Sequence, residues 1–373
     1  MGQKVTVFTF LILIFGFTIA TLVTPAKEFS DNENRKLQQA PKFSWETLKS
    51  GEFGSDYELY LADQFVLRDT WIAVKTMSDR AMLKKDINGV YFGSDNYLFE
   101  THNDVDKENS NKNANRLMTF ANKYGKQLGK DNVQVMIVPT AGVTLSDKMP
   151  AFAQTFDQNA YIDSIKAGLT DASFVDVREM IASKKNEYIY YKTDHHMTSL
   201  GNYYMYNVWA KANKITPKSI EDYEVISAND FAGTLYSKIN FAFELDRVDV
   251  YKEKGNVTYT VTFDEKEKRE SLFEMDAFSK KDKYQVFLGG NHSIIRINSS
   301  NKNGEKLLVV RDSYANAFVP FISSNYEEII MVDFRYYKKN ISKLIEEENI
   351  NNILVMYNAA TFAKDKASAG FLR

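Results

Sequence analysis

Short apolar runs alternate with helical patterns along most of the chain. The run Val133–Val138 lies between Asp131-Asn132 and Pro139, and an unbroken apolar run of this length is typical of a strand buried on both faces of a parallel sheet. Runs of the same kind lie at 174–177, 284–288, 307–310, 329–332 and 353–356, and helical spacing lies at 107–127, 160–169, 198–212, 314–323 and 338–349. This strand–helix–strand repetition predicts a doubly wound α/β domain over residues 105–373.

Two segments break this rhythm. A polar, irregular stretch is followed by helical spacing at 46–86, so residues 27–104 are predicted to be a juxtamembrane linker and a helical lead-in. Residues 218–283 are predicted to be a β-rich insertion, in which Val248–Tyr251 and Val257–Phe263 form a hairpin across a charged, glycine-containing turn.

The N-terminus carries an uncharged, strongly apolar run from Val5 to Val23. Its length is close to the roughly 20 residues that a membrane-spanning helix needs and exceeds the core of an ordinary signal peptide. We therefore expect residues 1–26 to be a single-pass signal anchor, with Lys4 on the cytoplasmic side and the rest of the chain outside. Cleavage at Thr24-Pro25-Ala26, which would release a secreted protein, is the alternative.

The composition excludes several classes of protein. The chain has 373 residues, 44 % of them hydrophobic and 26 % charged, which is ordinary for a globular protein. Its net charge of -2 gives no general attraction to nucleic acid, so no nucleic-acid partner is expected. The absence of cysteine excludes disulfides, thiolate metal sites and cysteine nucleophiles.

Ser313 lies at the junction between the apolar run Leu307–Val310 and the helical pattern that begins at Tyr314. A serine at this place is explained by helix capping alone, because its hydroxyl can accept free backbone N–H groups. The same place also suits a nucleophile, because open α/β sheets bind ligands beyond the carboxyl ends of their strands. Serine needs a histidine base oriented by a carboxylate to become a good nucleophile.

Asp194-His195-His196 supplies such a base. In an extended segment, residues i and i+2 point to the same side, so Asp194 and His196 share one face and His195 points away. The carboxylate would then fix the tautomer of His196 and support its charged form. A metal site formed by this string with His292 is a weaker alternative, because adjacent histidines rarely reach one ion together.

Gly290-Asn291 follows another apolar run and is a candidate oxyanion or substrate-binding element. Glycine allows a close backbone approach, and the asparagine amide can donate a hydrogen bond to an oxyanion. A simple tight turn explains the same residues. Arg311 and Tyr314, which flank the serine, are further candidates for binding the substrate.

As an ordered set, these strings resemble the DHHW signature of SGNH-hydrolase-like exported proteins, a family similar to the alginate O-acetylation proteins of the bacterial envelope. The fourth letter of the signature departs, because Met197 replaces tryptophan. The segments that carry the resemblance are Tyr60–Asp69, Asn88–Tyr91, Tyr191–Thr198 with Gly201 and Tyr203, Phe287–His292 and Arg311–Asn316. They cover most of the exported chain.

The resemblance implies a three-layer α/β sandwich with a central parallel sheet, in which Ser313 is the nucleophile, His196 the base and Asp194 the orienting acid. It implies an acetyl-serine intermediate formed without a cofactor. The function would be O-acetyl transfer or acetyl-ester hydrolysis on a cell-envelope or secreted polysaccharide. A membrane-bound O-acyltransferase would be the partner that supplies acetyl groups across the bacterial membrane. A catalytically inactive polysaccharide-binding or scaffold subunit is the alternative that Met197 leaves open.

Overall fold

A computed structural model describes residues 2–30, 32–33 and 35–373, and the chain divides into two units. The N-terminal unit runs to Asn88 and includes Tyr236–Phe241, and the α/β unit comprises Gly89–Leu235 and Ala242–Arg373. The helices are α1 (Gly2–Val23), α2 (Trp45–Ser50), α3 (Glu52–Gln64), α4 (Arg68–Ala81), α5 (Lys107–Leu128), α6 (Ala141–Thr144), α7 (Gln158–Ala167), α8 (Arg178–Ser183), α9 (Ser199–Ala212), α10 (Thr234–Ile239), α11 (Tyr314–Ile322), α12 (Ile341–Glu347) and α13 (Ala359–Lys364). The strands are β1 (Phe29–Ser30), β2 (Arg35–Lys36), β3 (Asp86–Ile87), β4 (Val90–Phe92), β5 (Leu98–Glu100), β6 (Val133–Val138), β7 (Ser173–Phe174), β8 (Tyr223–Phe231), β9 (Asp246–Glu253), β10 (Tyr259–Phe263), β11 (Glu267–Arg269), β12 (Ile294–Ser299), β13 (Lys306–Arg311), β14 (Glu328–Val332) and β15 (Asn352–Asn358).

The N-terminal unit is helical, as the spacing at 46–86 predicts. Among the described residues, α1 is the one helix that is long and apolar enough to cross a membrane, which makes it a candidate anchor. Gly51 separates α2 from α3 with a φ of 81°, a left-handed conformation that glycine adopts at little cost. The predicted linker contains Asp31 and Asn34, which lie outside the described residues.

The α/β unit is built on an eight-stranded sheet in the order β11-β10-β12-β14-β13-β15-β6-β7. The strands from β14 to β7 are parallel, and β12, β10 and β11 add an antiparallel edge. In the middle of the sheet, Val309 of β13 lies opposite Met331 on one side and Leu354 on the other. The predicted central parallel sheet is therefore confirmed, and β6 has the predicted bounds.

Helices cover both faces of this sheet. Adjacent strand residues face opposite sides, and Leu308 and Val309 of β13 accordingly belong to two different hydrophobic cores. Val309 shares its core with Trp209 of α9 and Phe318 of α11, whereas Leu308 shares the other with Phe120 of α5 and residues of α7, α12 and α13. The three-layer sandwich predicted from the sequence is confirmed.

The predicted hairpin between Val248–Tyr251 and Val257–Phe263 is wrong. β9 pairs with β8, while β10 pairs with β11 and β12 in the main sheet. The residues between the two strands have the composition of a turn, but the strands on either side pack into different cores. Val261 and Phe263 pack into the core of the main sheet, and Val248 and Val250 pack into a separate cluster with Phe231.

The strand predicted at Tyr284–Leu288 is also wrong. The chain makes a 3-10 turn over Lys283–Val286 and then runs through positive φ values at Leu288, Gly289 and Gly290 (55°, 67° and 96°). Its apolar side chains are buried as expected, but this backbone cannot join a strand ladder. The turn delivers Tyr284 to the site described next.

Candidate active site

Ser313 lies where β13 ends and α11 begins, at the carboxyl edge of the parallel sheet. In the described part of the chain its hydroxyl makes no capping hydrogen bond to the helix. Asp312 holds the turn instead, because its two oxygens accept the backbone N–H groups of Tyr314 and Asn358, each at 2.9 Å. The Ser313 hydroxyl is thereby left for another partner, and Oγ lies 2.8 Å from Nε2 of His196.

His196 and Asp194 lie in a tight turn that a single bridge between Tyr190 and Met197 closes. Asp194 Oδ2 lies 2.5 Å from His196 Nδ1 and also accepts the His196 backbone N–H at 3.1 Å. His195 does not turn away as predicted: its ring centroid lies 3.9 Å from that of His196, and its Nδ1 lies 2.6 Å from the Thr234 hydroxyl. A proton on Nδ1 held by the carboxylate leaves Nε2 as the acceptor that faces Ser313, which is the tautomer a general base needs.

The second oxygen of Asp194 is fixed from the start of α10. Thr234 donates both its backbone N–H and its hydroxyl to Oδ1, each at 2.7 Å. Gly233 allows this approach, since a Cβ there would lie 2.3 Å from Cβ of Asp194. Asp246 fixes Thr193, the residue before Asp194, by accepting its backbone N–H at 2.7 Å and its hydroxyl at 2.5 Å. The carboxylate of Asp194 therefore has little freedom to turn.

Burial and neighbouring charge set the protonation of this pair. Burial acts to raise the pKa of Asp194, but the imidazoles of His196 and His195 and the hydrogen bonds to the carboxylate hold it well below its usual range. Burial lowers the pKa of His196 to about 4, with a further lowering from His195 and an opposing effect of Asp194. The pair is thus an ionised carboxylate beside a neutral imidazole at neutral pH.

Tyr284 packs on His196, the candidate base, and was missed by sequence reasoning. Its ring stacks on His196 with centroids 3.8 Å apart and planes 12° apart, and its hydroxyl donates to the Ser313 carbonyl at 3.1 Å. One side chain therefore locks the imidazole plane and the backbone of the serine together. No local signal marks it, because the apolar run around Tyr284 suggested a strand.

Asn358 is a second residue that the sequence reasoning missed. It ends β15, the strand next to β13, and its Oδ1 caps α13 by accepting the N–H groups of Ala360 and Thr361. Its Nδ2 is buried and meets no acceptor among the described residues. Asn358 lines a small cavity with Asp194, His195 and Tyr314, which makes this donor a candidate for stabilising an oxyanion.

The candidates Gly290 and Asn291 bond to residues on either side of Ser313, and among the described residues neither bonds to Ser313 itself. The Gly290 N–H donates to Phe287 O at 3.2 Å, and its carbonyl accepts from Asn316 at 3.2 Å. Asn291 is exposed, and its Oδ1 accepts from Arg311 at 3.3 Å. The Gly290 N–H is therefore held in a turn, whereas the contact of Asn291 uses its oxygen and not the amide donor that an oxyanion would need.

Arg311 and Tyr314 are both buried beside Ser313. Burial lowers the pKa of Arg311, although Asp333, 3.9 Å away, acts to raise it. Its Nε and Nη2 meet no acceptor in the described part of the chain. The Tyr314 hydroxyl donates to His195 O and so ties α11 to the turn that carries His196.

The metal alternative has only part of its residues together. Ligand atoms of Asp194, His195 and His196 lie within 4.8 Å of one another. Their hydrogen bonds to Ser313 and Thr234 already use the atoms that would bind an ion. His292 pairs with Asp264 at 2.8 Å and is not in this group.

Comparison with known proteins places these residues in a family. The model of the DHHW protein family matches residues 88–332, which is more than half of the chain and contains every candidate side chain except Asn358. This chain belongs to the DHHW family. A comparison with curated protein sequences found no significant match.

Solved structures match this DHHW protein, and those with a TM-score above 0.5 share its fold. A DHHW family protein from Eubacterium siraeum is 26 % identical, with a TM-score of 0.64 over 77 % of this chain and 96 % of that one. PatB1 from Bacillus cereus, solved with a sulfonyl adduct, is 18 % identical, with a TM-score of 0.61 over 77 % and 98 %. The O-acetyltransferase domain of AlgJ from Pseudomonas putida is 11 % identical, with a TM-score of 0.48 over 74 % and 93 %.

This DHHW protein has methionine at the fourth position of the signature. Met197 is 1 % exposed and packs beneath Tyr190, its partner in the bridge that closes the turn. Gly201 lies against it, since a Cβ at Gly201 would lie 2.7 Å from Cε of Met197. The contacts among Asp194, His196 and Ser313 are formed with methionine in place.

Proposed function

We propose that this protein is an extracytoplasmic, membrane-anchored serine enzyme that transfers or hydrolyses acetyl esters on a cell-envelope or secreted polysaccharide. The observation that carries the proposal is the continuous hydrogen-bonded series Asp194–His196–Ser313, with distances of 2.5 and 2.8 Å. These are the contacts by which a carboxylate and an imidazole activate a serine. The resemblance to alginate O-acetylation proteins supports acetyl as the acyl group and a glycan hydroxyl as its carrier.

The geometry supports a two-step reaction. His196 Nε2 takes the proton from Ser313 Oγ as that oxygen bonds to the acetyl carbonyl carbon, and the carbonyl oxygen becomes an oxyanion near Asn358 Nδ2. The intermediate collapses, the ester C–O bond breaks, and the leaving oxygen takes the proton from His196. A sugar hydroxyl or water then gives its proton to His196 and attacks the acetyl-serine, and the Ser313 oxygen leaves with that proton.

Ester turnover by the full chain in detergent tests the proposal. We expect the wild type to hydrolyse p-nitrophenyl acetate and Ser313→Ala to lose at least about 10³-fold in kcat. Ser183→Ala is the matched control, because Ser183 is exposed and its hydroxyl bonds only the Met180 carbonyl of its own helix and contacts the Met180 sulfur. Equal turnover by the wild type and Ser313→Ala would contradict the proposal.

Transfer and hydrolysis use the same acetyl-serine, so an acceptor must separate them. The proposed acetyl supplier is a membrane-bound O-acyltransferase, which is the partner that the resemblance to alginate O-acetylation proteins implies. Partition of the acetyl group between water and an added oligosaccharide measures the outcome. Acetylated oligosaccharide as the main product supports transfer, and free acetate alone supports an esterase.

An inactive polysaccharide-binding or scaffold subunit is the second candidate, which the departure at Met197 favours. Such a subunit would bind glycan equally well before and after Ser313→Ala. It would also form no acyl-enzyme with a serine-directed reagent. Restoring the family residue with Met197→Trp would leave it inactive.

A further inference from the structure

The helices after α1 expose an unusual amount of apolar surface. Among their described residues, α2 and α3 have no buried side chain, and α4 buries only Thr76 and Asp79. The exposed fraction is 70 % for Trp45, 55 % for Leu59 and 41 % for Trp71. Large apolar side chains exposed in this number, where they adjoin one another, mark a binding face.

Contacts with α1 show where along that helix this surface lies. Phe17 of α1 packs edge-on against Trp71, with ring centroids 5.3 Å apart, and lies 6.1 Å from Phe65. The Val66 backbone N–H donates to the Thr21 hydroxyl at 3.3 Å. Because α1 ends at Val23, Phe17 lies about 9 Å inside that end at 1.5 Å per residue. The rings of α3 and α4 therefore lie beside the last turns of the apolar helix.

An apolar groove separates these helices. It has a volume of about 720 Å³ and is lined by Leu22 of α1, by Tyr57 and Leu61 on one face of α3, by Phe65 just after α3, and by Trp71 and Ile72 of α4. Phenylalanine lines it with tyrosine and tryptophan, the two residue types that collect where a membrane meets water. Its volume is in the range of sites that bind apolar ligands.

The cations at the rim of the groove are already neutralised. Arg68 pairs with Glu33, and Lys75 lies 2.9 Å from Asp79. Arg68 and Lys75 are therefore not free to attract an anionic partner, and the charges of α3 are all acidic (Glu52, Asp56, Glu58 and Asp63). A bilayer interior suits the apolar groove, whereas an acidic protein or an anionic headgroup would meet paired cations and the carboxylates of α3.

We propose that α3 and α4 lie in the outer interface of the membrane that α1 spans, with lipid acyl chains filling the groove between the three helices. The inference rests on the anchor of the proposed function and adds a second, non-spanning contact with the bilayer. It places Trp71 at the depth of the upper acyl chains. Because the rim charges are paired, the contact forms equally in zwitterionic lipid and at high salt.

Tryptophan quenching by lipid tests this arrangement in the full chain. The chain has three tryptophans, and Trp209 is 1 % exposed inside the α/β unit. The variant Trp45→Phe keeps Trp71 and Trp209, and Trp45→Phe with Trp71→Phe keeps only Trp209. Both are reconstituted in phosphatidylcholine vesicles with and without bromine on the acyl chains.

We expect bromolipid to quench part of the emission of Trp45→Phe and none of the emission of the double variant. Aqueous iodide should leave the same component unquenched, in low and in high salt. Neither substitution touches a buried core residue, and ester turnover by each variant checks that the α/β unit is folded.

Three results would overturn the inference. If the chain floats with the vesicles but Trp71 is quenched by iodide and not by bromolipid, the anchor stands and the surface faces water. If Trp71 resists both quenchers, a protein surface covers it instead of lipid. If the chain does not float with the vesicles, membrane anchoring by α1 is contradicted too. Ester turnover then still tests the role of Ser313 independently.

Discussion

The N-terminal helices and the α/β unit contain the same kinds of apolar side chain but bury them in different ways. Trp209 of α9 is 1 % exposed and packs near Tyr206 and Tyr326, whereas Trp45 and Trp71 are 70 % and 41 % exposed. Helical spacing predicts helices in both regions. What differs is the partner of the apolar face, which is a protein core in one region and, in our proposal, a bilayer in the other. Changes in the α/β unit should therefore affect chemistry and folding, and changes in the N-terminal helices should affect membrane contact.

The largest effect should come from the base of the α/β unit. His196→Gln removes the proton acceptor beside Ser313, and we expect a loss of roughly 10⁴-fold or more in kcat for an acetyl ester. His195→Gln changes a residue whose ring bonds Thr234 and not Ser313, so we expect less than about a tenfold loss. Steady-state kinetics measure kcat for both variants and so compare two adjacent histidines of one turn. Equal losses would contradict the assignment of His196.

Tryptophan substitutions test the comparison of the two regions directly. Trp209→Ala should reduce the free energy of unfolding of the α/β unit by about 3–5 kcal/mol, because it leaves a cavity in a close-packed core. Trp45→Ala should change the free energy of unfolding of the chain by less than about 0.5 kcal/mol, because Trp45 packs on no core among the described residues. Urea unfolding followed by circular dichroism measures both. A large loss in Trp45→Ala would show that the N-terminal helices have a protein core of their own.

Asn358→Asp separates capping from oxyanion stabilisation. Aspartate keeps the oxygen that caps α13 but replaces the Nδ2 donor with an acceptor. We expect kcat to fall by roughly 10²–10³-fold with little change in KM, the effect of losing one oxyanion donor. A thermal melt checks the fold. Unchanged kcat would mean that the oxyanion is held by backbone N–H groups alone.

The pH profile tests the environment of His196. A general base works only when it is neutral, and burial lowers the pKa of His196 to about 4. We expect kcat/KM to stay level from neutral pH down to about 5 and to fall tenfold per pH unit below about 4. A fall centred near 6.5, the ordinary value for histidine, would show that the imidazole is solvated.

The same shift predicts how stability depends on pH. The pKa of His196 is lower in the folded protein than in the unfolded chain, so the unfolded chain binds the extra proton between pH 6.5 and about 4. This contribution to stability is complete above pH 6.5 and is lost as the pH falls towards 4. His196→Gln should weaken that dependence in urea titrations.

Tyr284→Phe should have the smallest effect. It keeps the ring stacked on His196 and removes only the hydrogen bond to the Ser313 carbonyl, a loss of about 1 kcal/mol or roughly fivefold in kcat. Tyr284→Leu also removes the stack and should cost more. If both variants match the wild type, Tyr284 only fills space beside the base.

Local patterns predicted the centre of the sheet but not its edge. β6 and β13–β15 are unbroken apolar runs between turn residues, so their own sequence defines them. β10 and β12 depend on partners far along the chain, and nothing near Val261 shows that it will lie opposite Ile297. The predicted hairpin failed for that reason, because turn composition gives proximity in sequence and not the strand partner.

The residues of the site also divide into those that local sequence patterns predict and those that they do not. The sequence predicted that Asp194 and His196 would lie together, but they do so in a turn that keeps His195 beside His196, and not in the extended segment that the i, i+2 rule assumes. The strand-end rule singled out Ser313. The strand-end rule applied to β15 would also have found Asn358. Tyr284 had no such signal, because a 3-10 turn and two glycines with positive φ bring it to His196. Ser313 itself could be read as a cap until the structure showed Asp312 holding the turn.

The central claim is that His196 activates Ser313, and covalent trapping measures this most directly. A sulfonyl fluoride loses fluoride to an activated serine oxygen and leaves a sulfonyl group of known mass. The full chain, Ser313→Ala and His196→Gln are treated alike, digested and analysed by peptide mass spectrometry. We predict stoichiometric label on the peptide that contains Ser313 in the wild type and none at that position in either variant. Label elsewhere only, or equal labelling of Ser313 in His196→Gln, would contradict the account.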